Sequence, residues 1–261
     1  MEKPAETNYP IEEILKRRWS PRAFSNRMVE PEQLRSLWEA ARWAPSSFNE
    51  QPWHFIVATK ENKEVYERLL SCLVEKNQKW ARNAPVLMVS VTELNFARNG
   101  KPNRHSFHDV GLAMGNLLVE ATALGLFVHQ MAGFSPDKVK ELFAVPEGFE
   151  PVAGIAIGYG TAADEAPEGF KEQELAPRSR KPIDSFAFEG TWGRPRHLLR
   201  NDSARGIRIF RPAAERRNAY RPLASNRTKS SFRGVMFFLS PINGLENLNR
   251  LAAINISCLR H

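Results

Sequence analysis

Ala44-Pro45-Ser46-Ser47-Phe48-Asn49-Glu50-Gln51-Pro52-Trp53, followed at once by His54-Phe55-Ile56-Val57-Ala58-Thr59, is the stretch from which the fold is best read. The first half sets small hydroxyl and amide side chains between two prolines, a composition that stiffens the backbone and leaves donors free. The second half is aromatic and β-branched, which predicts a short strand over 54–59. A helix runs into the loop from the other side: Pro31 opens it, and Leu34, Leu37, Trp38 and Ala41 recur at i, i+3, i+4 and i+7. Such a loop suits the edge of a planar polar ligand, and its side chains could equally satisfy their own backbone.

Outward from there, helices and strands continue to alternate. Ile11, Ile14 and Leu15 mark an earlier helix, and Val65, Leu69, Leu70, Leu73 and Val74 mark a later one. Val86–Thr92 (VLMVSVT) predicts a second strand. From about His108 to Leu124 the chain reads as one helix, too apolar all round to lie on a surface. Ser135-Pro136 caps and starts another, with Val139, Leu142 and Phe143 inward. Pro151–Gly158 (PVAGIAIG) reads as a central strand. The class is α/β or α+β, and no internal repeat is present.

The 261 residues are 42% apolar and 25% charged, an ordinary globular composition. Cys72 and Cys258 cannot form a disulfide framework or a cysteine zinc site, so a reducing compartment is expected. The first residues, MEKPAETNYP, lack the apolar run of a signal peptide, and Asn116 and Glu120 interrupt the apolar stretch Gly111–Val128. A soluble, cytoplasmic protein with no membrane partner is expected. The formal charge of +8 is unevenly spread: from Arg194 onward 14 basic residues face 3 acidic ones, against 23 and 26 in residues 1–193. The expected organisation is one domain over 1–193 and a basic, poorly ordered extension over 194–261. The alternative is a nucleic-acid-binding arm. Without a recognisable binding module, no nucleic-acid partner is expected.

Two arginine clusters stand out. Arg17-Arg18-Trp19-Ser20-Pro21-Arg22 ends the first helix, and Pro177-Arg178-Ser179-Arg180 repeats the theme far along the chain. Guanidinium forks match phosphate oxygens bidentately, so the pairs could converge on one phosphate. In His129-Gln130-Met131-Ala132-Gly133-Phe134 the glycine lets backbone approach a ligand and offer its N–H. His105-x-x-His108-Asp109 lacks a third metal ligand, and Asp109 reads as an acid in a helix first turn. Gly158-Tyr159-Gly160 lacks the third glycine of a dinucleotide fingerprint. No Gly-x-Ser-x-Gly, P-loop or Cys–His pair is present. Hydride chemistry on a bound cofactor needs none of these.

In order along the chain these pieces resemble the nitroreductase family of FMN-dependent oxidoreductases, from about Ile11 to Gly193. They are Arg-Arg-x-Ser-x-Arg, Ala-Pro-Ser-Ser-x-Asn-x-Gln-Pro-Trp, Asn77 before Ala84-Pro85, His108-Asp109-x-Gly111, Gly133-Phe134, Arg178-x-Arg180 and Trp192-Gly193. The resemblance implies an α+β fold, a three-layer α/β/α sandwich around a mostly antiparallel sheet, and a homodimer with FMN at the interface. It implies that Arg18 (or its neighbour Arg17), Ser20 and Arg22 hold the FMN phosphate and ribityl end, with Arg178 and Arg180 closing over the phosphate. Asn77 would bond the flavin or ribityl from the same subunit, and Pro45, Ser46, Ser47, Asn49 and Gln51 would reach the ring from the other subunit. Gln130, Met131 and Gly133 would line it, with the Gly133 N–H toward flavin N5. No side chain of the chain would be a covalent or acid–base catalyst. The implied activity is hydride transfer from NADH or NADPH through FMN to an electron-poor acceptor such as a nitroaromatic or quinone. Reductive dehalogenation, heterocycle dehydrogenation and flavin breakdown are the alternatives on the same fold. Ala132 stands where many relatives carry an acidic residue, a departure that bears on substrate preference.

Overall fold

A computed structural model describes residues 3–194, all within the first of the chain's two units, Met1–Ala213. The basic extension expected over 194–261 lies, apart from Arg194, outside the described residues. The elements in chain order are α1 (Glu13–Arg17), α2 (Pro31–Arg42), a 3-10 turn (Ser47–Asn49), β1 (Trp53–Thr59), α3 (Lys63–Leu70), α4 (Glu75–Ala81), β2 (Val86–Glu93), α5 (Ser106–Ala123), β3 (Phe127–Met131), α6 (Pro136–Phe143), β4 (Phe149–Gly158) and α7 (Lys171–Leu175).

The four strands form one sheet in the order β1-β2-β4-β3, with every neighbouring pair antiparallel. Residues 86–92 of β2 are all buried, because helices cover both faces of the sheet. Side chains alternate between two cores as the pleat requires. Val86 and Met88 join Leu34 and Leu37 of α2 and Val110, Met114 and Leu117 of α5. Leu87, Val89 and Val91 join Tyr66 and Leu69 of α3, Trp80 of α4 and Val139 of α6 on the opposite face. The pairing slips where Ser90 faces Ala153 but Val91 faces Pro151. The extra residue, Val152, therefore packs on the same side as Ala153, against the α2/α5 core.

Most expected elements form where the periodicity placed them. The exception lies at Val65–Val74, where the expected helix stops at Leu70 and a further helix, α4, follows from Glu75. Leu73 makes an antiparallel bridge to Phe134, and the Val74 N–H donates to the Gly133 carbonyl at 3.0 Å. Those bonds leave the helix ladder, so α3 stops at Leu70 and α4 restarts at Glu75.

Helix α5 is half core and half open. Val110, Ala113, Met114, Leu117 and Ala121 are buried, whereas Gly111 and Ala123 are exposed and Gly115 and Val119 only partly covered. A β-carbon on Gly111 or Gly115 would meet nothing within 4 Å. Asn116, a polar residue in the apolar run, donates its Nδ2 to the Ala40 carbonyl at 3.1 Å and so ties α5 to α2. Among the described residues no helix is long and apolar enough to cross a membrane.

Candidate functional site

Helix α1 ends at Arg17 with Arg18 as its C-cap, and its last carbonyls need donors from outside the helix. Arg178 supplies them: Nη1 donates to the Lys16 carbonyl at 2.8 Å and to the Lys3 carbonyl at 2.7 Å, and Nη2 donates to the Arg18 carbonyl at 2.9 Å. The same contacts bring the 177–181 segment against the helix end. Arg18 Nη1 reaches Ser20 Oγ at 3.3 Å. Arg18, Arg178 and Arg180 together line a cavity of ≈ 570 Å³, with Tyr9, Ile11 and Leu15 on its apolar side.

Three like charges at one cavity repel. The Arg18 guanidinium is held below its ordinary pKa by burial first, then by Arg178 and Arg180, and Arg178 is lowered by burial and by Arg180. None of the three joins an ion pair among the described residues. An anion entering the cavity would relieve that repulsion and gain charge-assisted hydrogen bonds. Of the first arginine cluster, Arg18 therefore meets Arg178 and Arg180, whereas Arg17 lines a separate cavity with Lys3 and Phe127.

Arg22 goes elsewhere. Its backbone N–H donates to Glu174 Oε1 at 3.0 Å, its Nη1 lies 3.9 Å from the same oxygen, and its guanidinium sits over the Phe170 ring. Glu174 is fully buried, and nothing in the local sequence distinguishes it from the exposed acids around it. One strand away, His129 Nδ1 donates to the Pro21 carbonyl at 2.8 Å and its ring packs on Trp80. Burial lowers the His129 pKa to about 4, with the Arg22 charge acting in the same direction, so the ring is neutral at physiological pH.

A second group forms where β3 runs into α6. The Gly133 carbonyl accepts from Asn77 Nδ2 at 3.0 Å as well as from the Val74 N–H. A β-carbon on Gly133 would stand 2.6 Å from Asn77 Nδ2 and 2.9 Å from Val74 Cγ2, so a side chain there would have to displace both groups. The Gly133 N–H finds no acceptor among the described residues. Met131 is buried in the core and Gln130 is exposed on the edge strand.

The Pro45–Pro52 loop is the third group. Phe48, Asn49 and Gln51 have φ of 55°, 58° and 53°, left-handed conformations taken without a glycine. Each costs about 1–2 kcal/mol and persists where neighbours over-determine it. Ser46 Oγ accepts from the Gln51 N–H at 3.0 Å, Gln51 Nε2 donates to the Asn49 carbonyl at 3.1 Å, and the Ser47 N–H donates to Asp109 Oδ2 at 2.9 Å. Glu50 accepts from the Ala97 N–H at 3.0 Å, and Arg98 lies 4.0 Å over the exposed Phe48 ring. Asp109, read from sequence as an acid in a helix first turn and as part of the His108-Asp109-x-Gly111 motif, is thus the loop's buried anchor. His108 Nδ1 approaches its other oxygen at 3.1 Å. Among the described residues no three His, Cys, Asp or Glu side chains gather as a metal would require.

Comparison with known proteins now bears on this arrangement. The model of the nitroreductase family matches residues 15–159. The chain belongs to the nitroreductase family. Among solved relatives of this nitroreductase-family chain, one described as an oxidoreductase containing FMN is 36% identical, covering 72% of this chain and 95% of the other at a TM-score of 0.68. A nitroreductase family protein of Clostridium difficile 630 is 26% identical, covering 68% and 96%, at a TM-score of 0.54. The FMN reductase [NAD(P)H] of Bacillus subtilis (strain 168) is 28% identical over 158 residues, 54% of this chain and 61% of that one. The family places this chain in the α+β class, around an antiparallel four-stranded sheet.

Proposed function

We propose that the chain is an FMN-dependent oxidoreductase that takes hydride from NADH or NADPH and passes it to an electron-poor acceptor such as a nitroaromatic or quinone. The observation that carries the reading is the convergence of Arg18, Arg178 and Arg180 on one cavity, in a chain of this family, where Lys181 adds a fourth cation and Glu6, the one acid of the lining, pairs with none of the three arginines. Bound FMN would supply a ring that accepts a hydride from a nicotinamide and gives it up to an acceptor. Everything else falls to the protein.

In this reading Arg18, Arg178 and Arg180, with Ser20, hold the phosphate, while Arg22, turned to Glu174 and Phe170, stays outside the phosphate site. The Gly133 N–H is a free donor, as a hydrogen bond to flavin N5 requires. Asn77 fixes the Gly133 carbonyl and presents the remaining edge of its amide, while Gln130 and Met131 line the ring. Pro45, Ser46, Ser47, Asn49 and Gln51 meet the ring from the partner in a homodimer. The open ridge of Gly111, Gly115, Val119 and Ala123 on α5 supports that dimer, since small side chains allow a second helix to approach closely.

The phosphate assignment is tested by comparing FMN with riboflavin. Arg18→Met is expected to weaken FMN at least tenfold and leave riboflavin, which has no phosphate, within threefold. Equal losses for both flavins would remove the assignment.

A further inference from the structure

The structure assigns Asp109 a role beyond its own helix: we propose that it is the positioning residue that holds the Pro45–Pro52 loop in its flavin-facing conformation. The inference rests on the reading above, that this loop meets the flavin. Asp109 is 2% exposed, and both of its oxygens are used, Oδ2 by the Ser47 N–H at 2.9 Å and Oδ1 by His108 Nδ1 at 3.1 Å. The loop it anchors is the most strained part of the described backbone: three of the four non-glycine residues with positive φ lie between 48 and 51. Strained backbone persists only when held from outside, and the loop's internal bonds, Gln51 to Ser46 and Gln51 to Asn49, close it on itself without fixing it to the body.

At its far end the Pro52 carbonyl accepts from the Glu93 N–H of β2 at 2.9 Å, and two carboxylates tie down the residues before it. Glu50, at one end, joins the loop to the 93–105 excursion through the Ala97 N–H, and that excursion is exposed over much of its length. Asp109 joins it to α5, the longest helix and a wall of the α2/α5 core. The rigid tether is therefore Asp109. A charge-assisted bond to Ser47 N–H selects which way the Ser46 and Ser47 groups and the Asn49 amide present themselves. With the tether cut, the left-handed residues relax and the loop loses its ligand-facing shape while the core beneath stays packed.

Hydrogen exchange of a peptide spanning 44–53, measured on the full-length protein, reads the tether directly and without flavin. Asp109→Ala is expected to speed exchange at Ser47 at least thirtyfold, to weaken FMN at least tenfold and to change the circular dichroism of the bound flavin. Asp109→Asn, which keeps an acceptor, is expected to fall between Ala and wild type in both exchange and affinity. Tyr66→Phe, a buried hydrogen-bond deletion in the opposite core, controls for lost stability and is expected to leave loop exchange and FMN affinity within twofold. Wild-type exchange at Ser47 in Asp109→Ala overturns the inference. If that variant does not fold, wild-type exchange at Ser47 in Asp109→Asn overturns it instead. Faster loop exchange with FMN affinity unchanged would also overturn it, by separating the loop from the flavin. Failure of the wild-type protein to bind FMN at all would count against the functional reading, and the exchange result would still stand or fall alone.

Discussion

The Nδ2 of Asn77 lies 3.0 Å from the Gly133 carbonyl oxygen, and the same nitrogen would stand 2.6 Å from a β-carbon built on Gly133. The amide thus fills the space that glycine leaves, and a side chain at 133 must displace it. Gly133→Ala is expected to cost about 1–2 kcal/mol through overpacking and the lost hydrogen bond. Because the shifted groups border the free Gly133 N–H, FMN affinity should fall more than tenfold. Urea denaturation and flavin titration check the two effects separately. An alanine variant of wild-type stability and affinity would show that the close approach has no consequence.

His129 gives the fold an acid limit. Its pKa falls from an ordinary 6.5 in the unfolded chain to about 4 in the folded one, chiefly through burial. Between those values the unfolded state binds more protons, so stability rises with pH. The contribution is complete above about pH 6.5 and is lost as pH falls through the window toward 4. A loss of about 1–3 kcal/mol is expected across it, less than the full shift implies because the ring is partly solvated. Replacement by Asn, which can keep the donor to the Pro21 carbonyl, should flatten this part of the profile. Urea midpoints between pH 4.5 and 8 that are identical in slope for both proteins would contradict it.

The Arg22–Glu174 pair separates charge from shape. Glu174 is 1% exposed; Oε1 serves the Arg22 N–H, and Oε2 has no hydrogen-bond partner among the described residues. A buried carboxylate with an orphan oxygen contributes little net stability through its charge. Glu174→Gln keeps the acceptor and should change stability by less than about 1 kcal/mol. Glu174→Ala leaves a cavity and an unpaired Arg22 N–H, at about 2–4 kcal/mol. Guanidinium denaturation of the two variants checks the order; Gln as damaging as Ala would mean that the charge itself is required.

How far the sequence could be read depended on whether a residue acts through its own element. Strands β1, β2 and β4 and helices α2, α5 and α6 follow from local patterns, because each buries one continuous apolar set. Strand β3 was not legible as a strand: His129 and Gln130 interrupt its alternation, one bonded to Pro21 and the other on the open edge. The break at Leu70 was hidden because Leu73 and Val74 are apolar at helical spacing yet bond to the 133–134 segment. Within the site, the arginine clusters were visible as motifs, but the meeting of Arg18 with Arg178 and Arg180 was not, since it depends on Arg178 capping α1 across more than 150 residues. Asp109 and Glu174 are ordinary acids in sequence. Burial sets them apart, and burial is a property of the fold.

The visible absorption spectrum of the purified full-length protein, before and after anaerobic NADH or NADPH, tests the central claim most directly. A flavin spectrum, native or restored by added FMN, is expected to bleach on addition of the nicotinamide and to return on addition of a quinone or nitroaromatic. A colourless protein that ignores added FMN would contradict it, as would a flavin spectrum that neither nicotinamide changes.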